Sequence, residues 1–318
     1  MPLVGPTDGR ERAGAARSLG ARVGSLFPRC ANPHCATGWM RLWRGRRTPG
    51  FEGGWACSPE CMRALVAAAV RREMDGGAVP SPHTHRVPMG LLLVEQGRIT
   101  PDQLHAALAG QRQAAESRGG NLRLGEWLLR SGVLQESALT RALSAQWNCP
   151  VLSLAGARPA EMVSAMPQFF SEAFDALPVR TRGSRLVYLA FSGRVDRTLS
   201  YAVERMTGLR VAAGIAPASE FAAAQQQFLA AAAPPVRLLE APSSWVLVRA
   251  LTKVMEAARP VEARLARVHD YFWLRIWRRA ADPGLPPAGV VEDLVATLGT
   301  PAAQGRQNPG WRDSTHRR

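Results

Sequence analysis

Four cysteines are the residues of this chain whose type and spacing most directly imply chemistry. Cys30, Cys35, Cys57 and Cys61 fall within 32 residues in the pattern C-x4-C, 21 intervening residues, C-x3-C, and Cys149 stands far from them. In a reducing compartment, four clustered thiols hold a metal more often than they form disulfides. Tetrahedral thiolate coordination of Zn(2+) needs four deprotonated sulfurs converging at about 2.3 Å, and four protein ligands leave no open position for catalysis. The spacing therefore predicts a structural zinc centre, the alternative being two buried or partly oxidised cysteine pairs without metal. His34, beside Cys35, could replace a thiolate but is read as a bystander.

The residues around the second pair show how the ligands would be positioned. In WACSPECMRALVAAAV, Ser58 can cap a helix, Pro59 fits its first position, and Met62, Leu65, Val66, Ala69 and Val70 follow at helical spacing. Cys61 then sits in the first helical turn. One ligand pair on a loop and another ending at a helix N-terminus is a treble-clef arrangement, and the CSPEC string resembles small zinc fingers of that kind. Arg41, Arg44, Arg46 and Arg47 between the pairs keep nucleic-acid contact open beside plain structural stapling.

A second set of candidate residues comes from internal repetition. Met89–Gln111 aligns without gaps on Leu124–Gln146 at a constant offset of 35, with Gly90/Gly125, Leu93/Leu128, Gly97/Gly132, Leu104/Leu139, Ala107/Ala142, Leu108/Leu143 and Gln111/Gln146 identical. Each unit reads as two short helices. The first stops at Gly97 or Gly132; the second starts after Thr100-Pro101 or Gln135-Glu136 and presents leucines, alanine and a final glutamine on one stripe. Two such hairpins can form a small four-helix unit. Core packing explains the leucines but leaves the terminal glutamines and the glycines after Met89 and Leu124 without a reason.

The pattern RLGxxLxxxGxLxxxxLxxxLxxQ, twice in tandem, resembles the N-terminal domain of type II secretion and type IV pilus assembly ATPases, the MshE-N type that binds cyclic di-GMP. Arg123-Leu124-Gly125 through Gln146 matches it nearly completely. NCPVLSL, LPV at 177–179, RLVYLAF at 185–191 and TGLRV at 207–211 extend the likeness to about residues 86–230. The resemblance implies ligand roles for Arg123, Leu124, Gly125 and Gln146 in the second unit and for Arg86, Gly90 and Gln111 in the first. Leu104, Leu108, Leu139 and Leu143 would supply apolar contact to the bases. The chemistry suits such a ligand: arginine stacks on guanine and bonds its O6 and N7 edge, and glycine lets backbone N–H groups approach phosphate. Two departures stand out. Pro88 occupies the place of the first motif's arginine, and eleven residues, Arg112–Leu122, separate the two 24-residue units.

Composition sets the outer bounds. The 318 residues are 46% apolar and 20% charged, enough for a real core, and carry a formal charge of +15. Of 40 cationic side chains only Lys253 is a lysine; it lies in LTKVM without a preceding glycine, which excludes a phosphate loop of the GxxxxGK[ST] type. The nucleotide-hydrolysing domain that follows in the resembling ATPases is therefore not expected among these residues. No apolar run approaches the roughly 18 residues of a membrane span. These features, with no secretory signal evident, give the expectation of a cytoplasmic protein.

The fold expectation is α+β and multi-domain: a disordered basic lead-in (1–26), a zinc finger (27–76), the tandem helical-hairpin module (86–150), a small α/β sheet domain (151–230), a linker (231–243), a C-terminal helix plus β-hairpin piece (244–299) and a disordered tail (300–318). Within 151–230, strands VLSL, RLVYLAF and RVAAGI alternate with helix-like runs at Glu161–Met166, Arg197–Met206 and Ser219–Leu229. Phe169, Phe170 and Phe174 are read as core. In the last piece a helix spans about Trp245–Ala258, His269-Asp270 turns between two strands, Trp273, Arg275 and Trp277 share a strand face, and a final helix covers Val290–Leu298. No paired carboxylates or Ser/His/Asp order suggests an enzyme. The expected function is cyclic di-GMP sensing or docking coupled to a protein partner of secretion or pilus machinery. A structural adaptor with a degenerate site and a zinc-dependent nucleic-acid-binding regulator are the alternatives.

Overall fold

A computed structural model describes residues 30–35, 49–76, 86–118, 123–183, 185–281 and 284–299. The expected lead-in and tail, and Arg41, Arg44, Arg46 and Arg47, lie outside the described residues.

The repeats fold as two helical hairpins, α2 (Met89–Glu95) with α3 (Pro101–Arg118) and α4 (Leu124–Arg130) with α5 (Glu136–Trp147). The first helix of each runs into a glycine at positive φ, 62° at Gly97 and 71° at Gly132, a conformation side chains with a Cβ resist. The hairpins interlock, since α2 packs against α5 and α4 against α3. Leu93 and Leu128, equivalent residues of the two units, are fully buried at the centre with Ile99, Leu104, Ala107, Leu134, Ala138 and Ala142.

The middle domain is a three-stranded sheet in the order β3-β4-β5, formed by β3 (Ala176–Arg182), β4 (Leu186–Phe191) and β5 (Arg210–Ile215). Strands β3 and β4 are antiparallel, while β5 returns parallel to β4 through α7 (Arg197–Thr207). Helices α6 (Phe169–Phe174) and α8 (Ala218–Ala230) complete it. Two expectations are corrected here. The VLSL segment makes only an isolated bridge, Val151 to Ile215, and the run at Glu161–Met166 is a 3-10 turn over Pro159–Met162. Residues 162–166 are all buried, so no solvated face exists to sustain a helical period, and carbonyls there serve another partner.

The C-terminal sheet runs β6-β9-β8-β7, from β6 (Val236–Ala241), β7 (Glu262–Val268), β8 (Tyr271–Trp277) and β9 (Val291–Leu298), with α9 (Ser244–Ala258) preceding β7. The segment expected as a final helix is thus strand β9, and strand β6 lies within the expected linker. Val291, Leu294, Val295 and Leu298 suit a helix stripe and a doubly covered strand equally. Pairing decides, because β9 is central, parallel to β6 and antiparallel to β8. His269, at φ 53°, turns β7 into β8 as expected.

Alternation along β8 separates two cores. Phe272, Leu274 and Ile276 face one core, shared with α9 (Leu247, Leu251, Met255) and with α1 (Pro59–Asp75) from the cysteine-rich segment. Trp273 faces the middle domain, where it meets Phe170 edge-on at 5.5 Å. Trp273, Arg275 and Trp277 do share a strand face, but at 0%, 0% and 8% exposure they close a core rather than offer a platform for bases.

A charged clamp joins the cysteine-rich segment to α7. Arg205 donates from Nη1 to Glu73 (2.8 Å) and from Nη2 to Glu52 (2.7 Å), and Arg72 also holds both carboxylates. Burial raises the Glu52 pKa, but the Arg72 hydrogen bond and the Arg205 charge outweigh it and hold the carboxyl below its usual range. A depressed carboxylate stabilises the fold above its unfolded-state pKa, and that stability is lost as pH falls through the folded value. Arg205→Ala is therefore expected to cost about 1–2 kcal/mol at neutral pH. The gap from the wild type should narrow as urea titrations move below the carboxylate range; a gap that persists unchanged in acid contradicts the clamp.

Candidate functional site

The cysteine site is built on a tight hairpin and a capped helix. Strands β1 (Gly50–Phe51) and β2 (Gly54–Trp55) pair across Glu52 and Gly53, both at positive φ. Ser58 Oγ then accepts from Cys61 N (3.3 Å) at the head of α1, with Pro59 at its start. This brings Cys57 and Cys61 onto the turn formed by residues 30–35. The four Sγ atoms lie within 4.8 Å of one another, with Cys35 to Cys57 at 3.4 Å and Cys57 to Cys61 at 3.6 Å. Zinc–thiolate bonds of about 2.3 Å in a tetrahedron set sulfurs about 3.8 Å apart, so the cluster could hold such an ion.

Two N–H donors point at the sulfurs. Cys57 N donates to Cys30 Sγ (3.4 Å) and Asn32 Nδ2 to Cys61 Sγ (3.3 Å). Without a cation, burial and the adjoining Cys35, Cys61 and Cys30 push the Cys57 thiol up to about 12, and burial leads the rise at Cys30. Four donors suffice for a closed centre that leaves His34 outside it; His34 is exposed, its backbone N bonded to Asn32 Oδ1. Asn32 was not singled out in the sequence, although an amide side chain inside a C-x4-C loop is a recognisable sign of sulfur support.

The second group lies where the two repeats meet. The starts of α2 and α4 adjoin: a Cβ on Gly90 would stand 2.6 Å from Leu104 Cδ1 and 3.3 Å from Leu124 Cδ2. Its counterpart on Gly125 would stand 2.9 Å from Leu139 Cδ1. The repeated glycines thus have a packing reason, contrary to the expectation that core packing leaves them unexplained. Gln146 has one too, since its Nε2 donates to Val87 O (2.9 Å) and ties α5 to the segment before α2.

The other candidates divide by depth. Leu104 is buried, Leu108, Gln111, Leu124 and Leu139 are half-buried, and Leu143 packs on the core of the middle domain. Arg86 lies over the Trp147 ring at 3.5 Å. Trp147 was missed in the sequence; it directly follows the repeated Gln146, which is the available signal. Arg123 is exposed and reaches Asp175 at 3.7 Å. Arg86, Gly90, Arg123, Leu124, Gly125 and Gln146 are therefore tied to one junction between α2, α4 and α5, beside the loop after β4, whose Gly193 adjoins Arg123. His269, in the β7–β8 turn, binds Asp196 Oδ2 through Nε2 at 2.6 Å.

The chain matches no protein-family model and no curated protein. Among solved structures it is similar to MshE with cdg, at 27% identity and a TM-score of 0.36, covering 45% of this chain and 99% of that one. It is also similar to the N-terminal domain of XpsE in two crystal forms. One is 19% identical with a TM-score of 0.33 over 44% of this chain and 92% of that one. The other is 20% identical with a TM-score of 0.27 over 43% and 90%. No described helix is long and apolar enough to cross a membrane.

Proposed function

We propose that this chain is a cyclic di-GMP-responsive docking protein, related to the N-terminal domain of secretion and pilus ATPases and without ATPase chemistry. Its cysteine cluster holds a structural zinc ion and stiffens the scaffold. The observation carrying this reading is the tandem motif, whose paired starts, Gly90 and Leu124-Gly125, adjoin at one junction together with Arg86, Arg123 and Gln146. Arg123 is exposed, its carboxylate contact is long, and its guanidinium can meet the O6/N7 edge of a guanine. The partner in this reading belongs to secretion or pilus machinery, and the protein works in the cytoplasm.

A structural adaptor is the second reading, favoured by the packing of Gly90 and Gly125 and by the Gln146–Val87 bond, which use the repeated residues without a ligand. Calorimetric titration with cyclic di-GMP separates the two. The wild type should bind, and Arg123→Ala should lose about 1–3 kcal/mol of affinity with little change in thermal stability. No binding by the wild type at high micromolar ligand leaves the adaptor; binding that survives Arg123→Ala places the site elsewhere.

A further inference from the structure

We infer that the loop between β4 and α7 forms the phosphate-binding wall of this same site, with Arg194 and Arg197 joining Arg86 and Arg123 to take the phosphodiester groups of a guanine dinucleotide. The inference rests on the cyclic di-GMP reading and adds two residues from outside the repeats. Gly193 brings the loop against the helical module, since a Cβ there would stand 3.1 Å from Arg123 Nη1. The next arginine, Arg194, is exposed, and so is Arg197 at the first position of α7.

The cluster is poor in compensating charge. Among the described residues, Arg86, Arg194 and Arg197 have no carboxylate within 4.0 Å, and Arg123 has only Asp175 at 3.7 Å. Asp196, between the two added arginines, is committed elsewhere: Oδ1 caps Leu199 N at 2.8 Å and Oδ2 holds His269 at 2.6 Å. Trp147 fixes Arg86 from below. Burial and then the charges of Arg197 and Arg194 lower the Arg86 pKa, which places these guanidinium groups within one another's field. Like charges held together in this way repel until an anion of matching charge enters. A cyclic dinucleotide brings two phosphodiesters and hence two negative charges, and arginine is the side chain whose planar fork pairs with phosphate oxygens.

The test compares the wild type, Arg123→Ala and the double variant Arg194→Ala/Arg197→Ala by calorimetry with cyclic di-GMP at two salt concentrations. The double variant should bind about ten-fold more weakly or worse, with a shallower salt dependence. Arg194→Lys/Arg197→Lys should recover part of the loss. Thermal unfolding should be unchanged, because both side chains are exposed. Wild-type binding lost in Arg123→Ala but intact in the double variant overturns this inference and leaves the dinucleotide reading standing. No wild-type binding removes that reading itself, and the inference with it. If the double variant instead loses only binding to single-stranded DNA, the arginines form a nucleic-acid surface and the inference is likewise overturned.

Discussion

Arg275→Ala is expected to destabilise the protein by about 3–5 kcal/mol in urea unfolding, the largest effect of any single substitution outside the cysteine cluster. Arg275 is 0% exposed and Asp293, opposite it on β9, is 1% exposed. The guanidinium donates from Nε and Nη2 to the two carboxylate oxygens, both at 2.8 Å, and from Nη1 to Ser164 O at 2.7 Å. Trp273 Nε1 adds a further bond to Asp293 Oδ1 at 2.8 Å. Alanine would leave a buried carboxylate with the indole as its remaining side-chain donor, strip Ser164 O of its partner and open a cavity between the C-terminal sheet and the middle domain. Removing both charges is different in kind. Arg275→Met with Asp293→Leu deletes the desolvated pair together and should recover much of the loss. A loss below about 1 kcal/mol in the single variant would contradict the assignment of Arg275 as the polar tie between the C-terminal sheet and the Ser164 backbone of the middle domain.

Metal removal is expected to act well beyond the cysteines. Carefully prepared protein should contain about one zinc ion per chain, and Cys57→Ser should lower that content sharply. Because protons compete for thiolates, zinc should also be released progressively on acidification. Hydrogen exchange after chelation should rise across α1, the β1–β2 hairpin and the facing parts of α9 and β7. The reason is packing: Cys57 and Cys61 lie in the same core as Met62, Val66, Leu251, Phe272 and Leu274. A finger folding on its own would confine the change to its own residues. The repeats have a separate core and should keep their protection. Protein free of zinc when purified with care would sink the metal assignment.

Local features of the fold are legible in the sequence. Gly97 and Gly132 end their helices at positive φ, Ser58 caps α1 beside Cys61, and His269 turns β7 into β8, because each depends on a few adjoining residues. Features that distant segments decide are not. Strand β9 reads as a helix until two neighbouring strands pair with it, and α1 gives no local sign that its apolar stripe belongs to a sheet far along the chain. The repeated glycines were visible, but their cause, a leucine side chain filling the place of a Cβ, was not. Arg194 and Arg197 carry no period or motif, and only the fold brings their loop, through Gly193, against Arg123 of the helical module.

The position of β9 also governs how the chain can be made. It is the last described strand in sequence, yet it lies between β6 and β8 and supplies Asp293 to the buried ion pair. During synthesis from the N-terminus, α1, α9 and the β7–β8 hairpin emerge first and cannot complete their sheet. Strand β6 has no partner until residues 291–298 arrive, and Arg275 waits unpaired for the same segment. The interlocked helical hairpins need only neighbouring sequence and can close early. The topology therefore calls for a local stage around the repeats and a later one in which the last described strand inserts between β6 and β8 and closes the C-terminal sheet.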